Sequence, residues 1–201
     1  MKKILFSAFP VLAIAAIIIG TNDPLPIGAP MPNAELKMKD VSGKEISLEA
    51  AKKKNGLLVM FSCNTCPYVI KNQSRTIEAA KHAQANNVGV AILNSNEAYR
   101  GNEDSYEAMK QYAADQQYEW YYLVDQNHVM ADAFGANRTP ECFLFDKKGI
   151  LVYHGAIDDN PNDASSVGRK HLIEAINELT GGKEISLKVS RSVGCTIKRL
   201  R

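Results

Sequence analysis

The sequence predicts an α/β sandwich, a central mixed β-sheet flanked by helices, with an N-terminal β-hairpin as an extension. Three observations lead there. Residues 57–61 and 88–93 are continuous apolar runs, the pattern of strands buried on both faces. Segments with helical spacing follow each of them. Near the end, residues 141–145, the turn Asp146-Lys147-Lys148-Gly149 and residues 150–154 read as a closing hairpin.

The elements follow in order. Residues 1–20 start with Lys2 and Lys3 and continue as an apolar run, which reads as a secretory signal peptide or an uncleaved N-terminal membrane anchor. As a helix, residues 4–20 would reach roughly 25 Å, short of the ~30 Å hydrocarbon core, so cleavage is the preferred reading. Either way the domain is expected outside the cytoplasm, in a periplasm-like space where disulfides persist. Residues 21–33 hold four prolines and read as an extended linker. Residues 34–183 form the domain. Residues 184–201 form a basic tail, expected to be loosely ordered.

Within the domain, residues 36–38 and 44–48 flank Asp40-Val41-Ser42-Gly43 and suggest the first hairpin. Helices are expected at 68–84, 104–116, 129–134 and 167–179, the last stopping at Gly181-Gly182. A further strand is expected at 120–124. Asp158 to Asp163 reads as a turn followed by a helix cap, since its acidic spacing does not fit a calcium-binding loop.

The 201 residues carry a formal charge of +2, with 45% hydrophobic and 23% charged side chains. That composition is ordinary for a globular protein and gives no reason to expect nucleic acid as a partner. Tyr118 to Tyr122 has no accompanying basic groove and reads as strand core and rim.

The chemistry lies in Cys63-Asn64-Thr65-Cys66, placed where the strand 57–61 gives way to a helix. Two thiols so spaced can close and reopen a disulfide. The helix N-terminus favours a thiolate, the species that attacks disulfides. As a structural staple the pair would be poor, because so short a loop removes little chain entropy. Zinc or copper would need further ligands, and His82, His128, His154 and His171 form no paired motif. No metal and no cofactor beyond the cysteines is expected. Thr139-Pro140 directly precedes a central strand, a place where a proline is hard to fit unless its bond is special.

These residues resemble thioredoxin-like proteins of the alkyl hydroperoxide reductase and thiol-specific antioxidant group, in the peroxiredoxin-like branch with Cys-x-x-Cys-Pro. The resemblance rests on residues 61–69, Asn94-Ser95-Asn96, residues 133–136, Thr139-Pro140-Glu141, residues 143–146, residues 155–159 and Gly194-Cys195-Thr196-Ile197-Lys198. It implies a thioredoxin fold with Cys63 as an exposed nucleophile and Cys66 as the buried resolving thiol. Pro140 would face the pair in cis, and the Thr139 backbone would pair with an extended substrate peptide. The implied activity is thiol–disulfide exchange on disulfide-containing proteins or small thiols. A separate electron donor or acceptor is then required, a membrane reductase among the candidates.

The sequence departs from the wider superfamily in two places. Strand 57–61 lacks a carboxylate, and Val69 stands where many secreted reductants place a Glu. The base serving the second thiol is therefore unassigned, with Glu97 and Glu141 candidates by position. Two other functions stay open. Cys66-Pro67 also resembles a peroxidatic site, although Cys63 occupies the usual Thr slot. Oxidation to a sulfenic acid and resolution by the neighbouring thiol would be the mechanism. A copper or zinc binding module is the third reading. Cys195 and Cys142 are candidate auxiliary thiols, and Cys142 also fits a packed core thiol.

Overall fold

The computed structural model describes residues 23–200, so the signal or anchor reading of residues 1–20 lies outside the described residues. The chain runs β1 (Met38–Lys39), β2 (Glu45–Ile46), α1 (Leu48–Ala51), β3 (Gly56–Ser62), α2 (Pro67–Ala85), β4 (Val88–Asn94) and α3 (Tyr106–Asp115). It continues with β5 (Tyr121–Val124), α4 (Val129–Phe134), β6 (Arg138–Thr139), β7 (Glu141–Phe145), β8 (Leu151–Gly155), α5 (His171–Thr180) and β9 (Cys195–Thr196).

Five strands form the central sheet in the order β5-β4-β3-β7-β8. β3, β4 and β5 are parallel, joined by α2 and α3 as crossovers, while β7 pairs antiparallel with both β3 and β8. β1 and β2 form the expected small antiparallel hairpin.

Side-chain alternation explains why the central strands are apolar throughout. Leu58 and Met60 of β3 face a core built with α2 and α5. Leu57, Val59 and Phe61 face the opposite core, which includes α1 and α4. Phe61, Phe134 and Phe143 meet edge-to-face there, with centroids 5.1–5.7 Å apart, a favoured aromatic geometry.

α5 begins four residues later than its sequence pattern suggests. Asp163 caps a short 3-10 turn, Ala164–Ser166, and Asp159 accepts the Gly168 N–H at 3.0 Å. These local bonds hold the segment in a loop that competes with helix.

Two expectations are overturned. Residues 25–31 are not a free linker. The Leu25, Gly28 and Met31 amides donate to Phe134, Leu151 and Gly149, and Met31 is buried. Prolines lie between these donors, so the strap pairs without needing their missing N–H groups. The tail is not loose either. Lys188 and Ser190 bond to the His154 backbone at 2.9 and 3.0 Å, and Arg199 reaches Asp132 at 2.7 Å. Lys188, Lys198 and Arg199 have local acceptors, so basic composition did not translate into disorder. Strap and tail together cover the open edge of β8, as sheet edges require.

A three-thiol candidate redox site

The site forms at the C-terminal end of β3. Pro67 is the first helical residue of α2, where its missing N–H costs no bond, and this makes Cys66 the N-cap. Cys63 and Asn64 occupy the corner before it.

Asn64 is pinned on three sides. Its amide donates to Asp104 Oδ1 at 2.9 Å, its Nδ2 to the Glu103 carbonyl at 2.7 Å, and its Oδ1 accepts the Tyr122 hydroxyl at 2.8 Å. Asp104 is fully buried and also accepts from Asn94 Nδ2 at 2.7 Å and Asn96 Nδ2 at 2.9 Å. Burial holds the Tyr122 phenol well above its ordinary pKa, which keeps it a donor. Nothing in the sequence singled out Asp104 or Tyr122. The polar triplet Asn94-Ser95-Asn96, closing an otherwise apolar strand, was the available signal.

The Thr139–Pro140 bond is cis. Thr139 touches both sulfurs: its Oγ1 lies 3.5 Å from Cys63 Sγ, and its carbonyl oxygen lies 3.4 Å from Cys66 Sγ. The preceding loop is held by Glu141, whose carboxylate accepts the Asn137 and Arg138 amides at 2.8 and 2.9 Å and bonds His154 at 2.8 Å. Glu97 accepts the Asn127 amide at 3.1 Å and pairs with Arg100. Both candidate bases are thus engaged in holding loops.

The electrostatics of the pair differ from expectation. Cys63 is not exposed: 2% of its surface is accessible, against 5% for Cys66. The neighbouring Cys63 thiol holds Cys66 low, at about 4, against the opposing effect of burial. The Cys195 thiol and the Val69 and Cys195 N–H groups assist. Cys63 is pushed up, first by its bond to Cys66 and then by burial.

Cys195 joins the same cluster. β9 pairs antiparallel with β6, with Thr139 opposite Cys195, so the strand position expected for a substrate peptide holds the chain's own tail. Cys195 packs with Cys63, Cys66 and Val69 and is half-buried. Cys142 does not join them. It faces the core beside α2 and α5, and burial pushes its thiol up. All four cysteines are free thiols here. A pocket of about 280 Å³ opens beside Pro140, lined by Ile157, Pro161 and Val193 together with Asn72, Asp158 and His171. Among the described residues, no three His, Cys, Asp or Glu side chains are grouped to hold a metal ion.

The redoxin family profile matches residues 26–170. An uncharacterised conserved protein of Geobacillus kaustophilus is similar in structure, with 32% identity, 87% of this chain and 93% of that chain covered, and a TM-score of 0.81. A hypothetical protein of Sinorhizobium meliloti 1021 shows 29% identity over 89% of this chain and 97% of that chain, with a TM-score of 0.81. The thioredoxin domain of a thiol-disulfide oxidoreductase from Bacteroides vulgatus shares the fold at 17% identity, covering 65% of this chain and 88% of that chain, with a TM-score of 0.53. No curated protein sequence matches.

Proposed function

The chain belongs to the redoxin family, and from that premise we propose a thiol–disulfide oxidoreductase in which Cys66 attacks and Cys63 resolves. One observation carries this reading: Cys66 is the N-cap residue of α2 and the less buried of the two sulfurs, with Thr139 against both. The Cys66 thiolate attacks a substrate disulfide, forms a mixed disulfide and expels one substrate thiolate. Bonding Cys66 removes the charge that held the Cys63 proton. Cys63 then attacks Cys66 Sγ, its proton passes to the second departing substrate thiolate, and a Cys63–Cys66 disulfide remains. Run backwards, the same steps oxidise a dithiol.

The substrates in this reading are disulfide-containing proteins or small thiols outside the cytoplasm, with a separate electron donor or acceptor. The apolar run of residues 4–19 supports the location. Trapping in a Cys195→Ser background, where the tail thiol cannot resolve the adduct, assigns the roles. Cys63→Ser should there accumulate a mixed disulfide on Cys66, and Cys66→Ser should accumulate none; the opposite pattern restores Cys63 as the nucleophile. Glutathione equilibration then gives the direction. A potential near ~−270 mV marks a reductant and one near ~−120 mV a disulfide donor. A pair that never closes at any glutathione ratio removes the proposal.

One observation favours a second reading, thiol peroxidase. Both thiols are buried and β9 covers Thr139, so a small hydroperoxide meets less obstruction than an extended peptide. Rapid Cys66-dependent hydroperoxide consumption, without reduction of protein disulfides, would select it.

A further inference from the structure

We propose that Cys195 is a relay thiol, which carries the disulfide from the buried Cys63–Cys66 pair to a more accessible Cys66–Cys195 linkage. The inference rests on the reading of Cys66 as the reactive sulfur and extends it to the partner-facing half of the cycle.

Three independent features place the tail for this role. Strand pairing sets Cys195 opposite Thr139, the residue in contact with both sulfurs of the pair. The tail is anchored just beyond, where the Lys198 amide donates to Asn96 Oδ1 at 2.8 Å, the Ala98 amide donates to the Lys198 carbonyl at 2.9 Å, and Ile197 is buried in the core. Just before Cys195 stands Gly194, where any Cβ would lie 2.1 Å from the Thr139 carbonyl oxygen. The close approach of tail to Thr139 therefore requires glycine at this position. The tail adds a strand at the site where peptide ligands of such folds pair, in cis rather than in trans.

The exchange needs no outside oxidant. Starting from the Cys63–Cys66 disulfide, the Cys195 thiolate attacks Cys66 Sγ; the Cys66–Cys195 bond forms, the Cys63–Cys66 bond breaks, and Cys63 leaves with the proton that Cys195 gave up. An external dithiol then attacks Cys195, the more exposed sulfur, and releases Cys66 as thiolate. The second thiol of that dithiol displaces Cys195 and returns all three cysteines to the reduced form. Cys66 is a good leaving group because the neighbouring Cys63 and Cys195 groups hold its thiol low.

The test uses the full chain. Reduced protein is treated with one equivalent of diamide, remaining thiols are blocked with N-ethylmaleimide, and disulfides are mapped by peptide mass spectrometry. The relay predicts both Cys63–Cys66 and Cys66–Cys195 in the unsubstituted protein. Cys63→Ser should give Cys66–Cys195, and Cys195→Ser only Cys63–Cys66. Gly194→Ala keeps the thiol but displaces the strand, and should give Cys63–Cys66 with Cys195 alkylated. Re-reduction by dithiothreitol should slow about tenfold in Cys195→Ser, since the exposed point of attack is gone. Finding Cys63–Cys66 without any Cys66–Cys195, with re-reduction of Cys195→Ser at the unsubstituted rate, overturns the relay and leaves the oxidoreductase reading standing. Finding Cys66–Cys195 but never Cys63–Cys66 overturns both.

Discussion

At Cys66 a neighbouring buried thiol, and after it the tail thiol and the Val69 amide, hold one sulfur low against the effect of burial. With its pKa lowered to about 4, the sulfur is ionised throughout the neutral range and protonates only as pH falls through that value. Alkylation of Cys66 should therefore be flat from neutral pH downward and decline near the midpoint. The largest cause is the Cys63 thiol, so Cys63→Ala should raise the midpoint clearly, while Cys63→Ser, which keeps a donor, should raise it less. Ultraviolet thiolate absorbance against pH reads both, and an unmoved midpoint in Cys63→Ala rejects the hydrogen bond as the cause. Beneath the pair, Asp104 satisfies three buried N–H donors. Asp104→Ala strands them, at a cost of about 1–3 kcal/mol in urea unfolding, with slower thiol turnover because the Asn64 corner loosens. The Cys-x-x-Cys pair and the cis Thr139–Pro140 bond were legible as residues. The depth of each thiol was not, because it turns on which cysteine caps the helix. Pro67 at the first helical position was the one clue to that.

At the scale of elements, α2 both caps the nucleophile and anchors the loop that follows β8. Arg75 in the middle of α2 donates to both buried Asp158 oxygens, at 2.7 and 2.6 Å, and to the partly buried Asn160 carbonyl at 2.6 Å. Removing one partner of such a pair leaves an uncompensated charge, so Arg75→Ala should cost about 3–5 kcal/mol in urea unfolding. Arg75→Met combined with Asp158→Leu should recover most of that loss; if the double variant is as unstable as the single one, the cost belongs to packing. The central strands were readable because burial on both faces leaves an unbroken apolar run, and β3 and β4 extend the expected spans by a residue or two. The start of α5 was not readable. Its helical periodicity continues back through residues whose polar side chains instead close local turns around Asp159 and Asp163.

Over the whole molecule, the segments that sequence patterning treated as accessory complete the fold at its exposed edge. Strap and tail pair through isolated backbone bonds and strands of two residues, too short to carry any periodicity. Their composition, proline-rich in one and basic in the other, is shared with disordered chain, and only the tertiary partners distinguish them. The strap contributes amide bonds from Leu25, Gly28 and Met31, receives the Leu151 amide at Ala29, and buries the Met31 side chain against the core that includes Phe145 and Leu151. A chain beginning at Asn33 loses all of these and uncovers the Leu151 end of the β8 edge, whereas a chain beginning at Asp23 keeps them. Burying one methionine side chain is worth about 1.5–3 kcal/mol, and each backbone bond adds roughly 1 kcal/mol. The shorter chain should therefore unfold at a markedly lower temperature than the longer one and associate more readily through β8, read by thermal melts and light scattering. Coincident melts for the two chains would return residues 25–31 to the status of a linker.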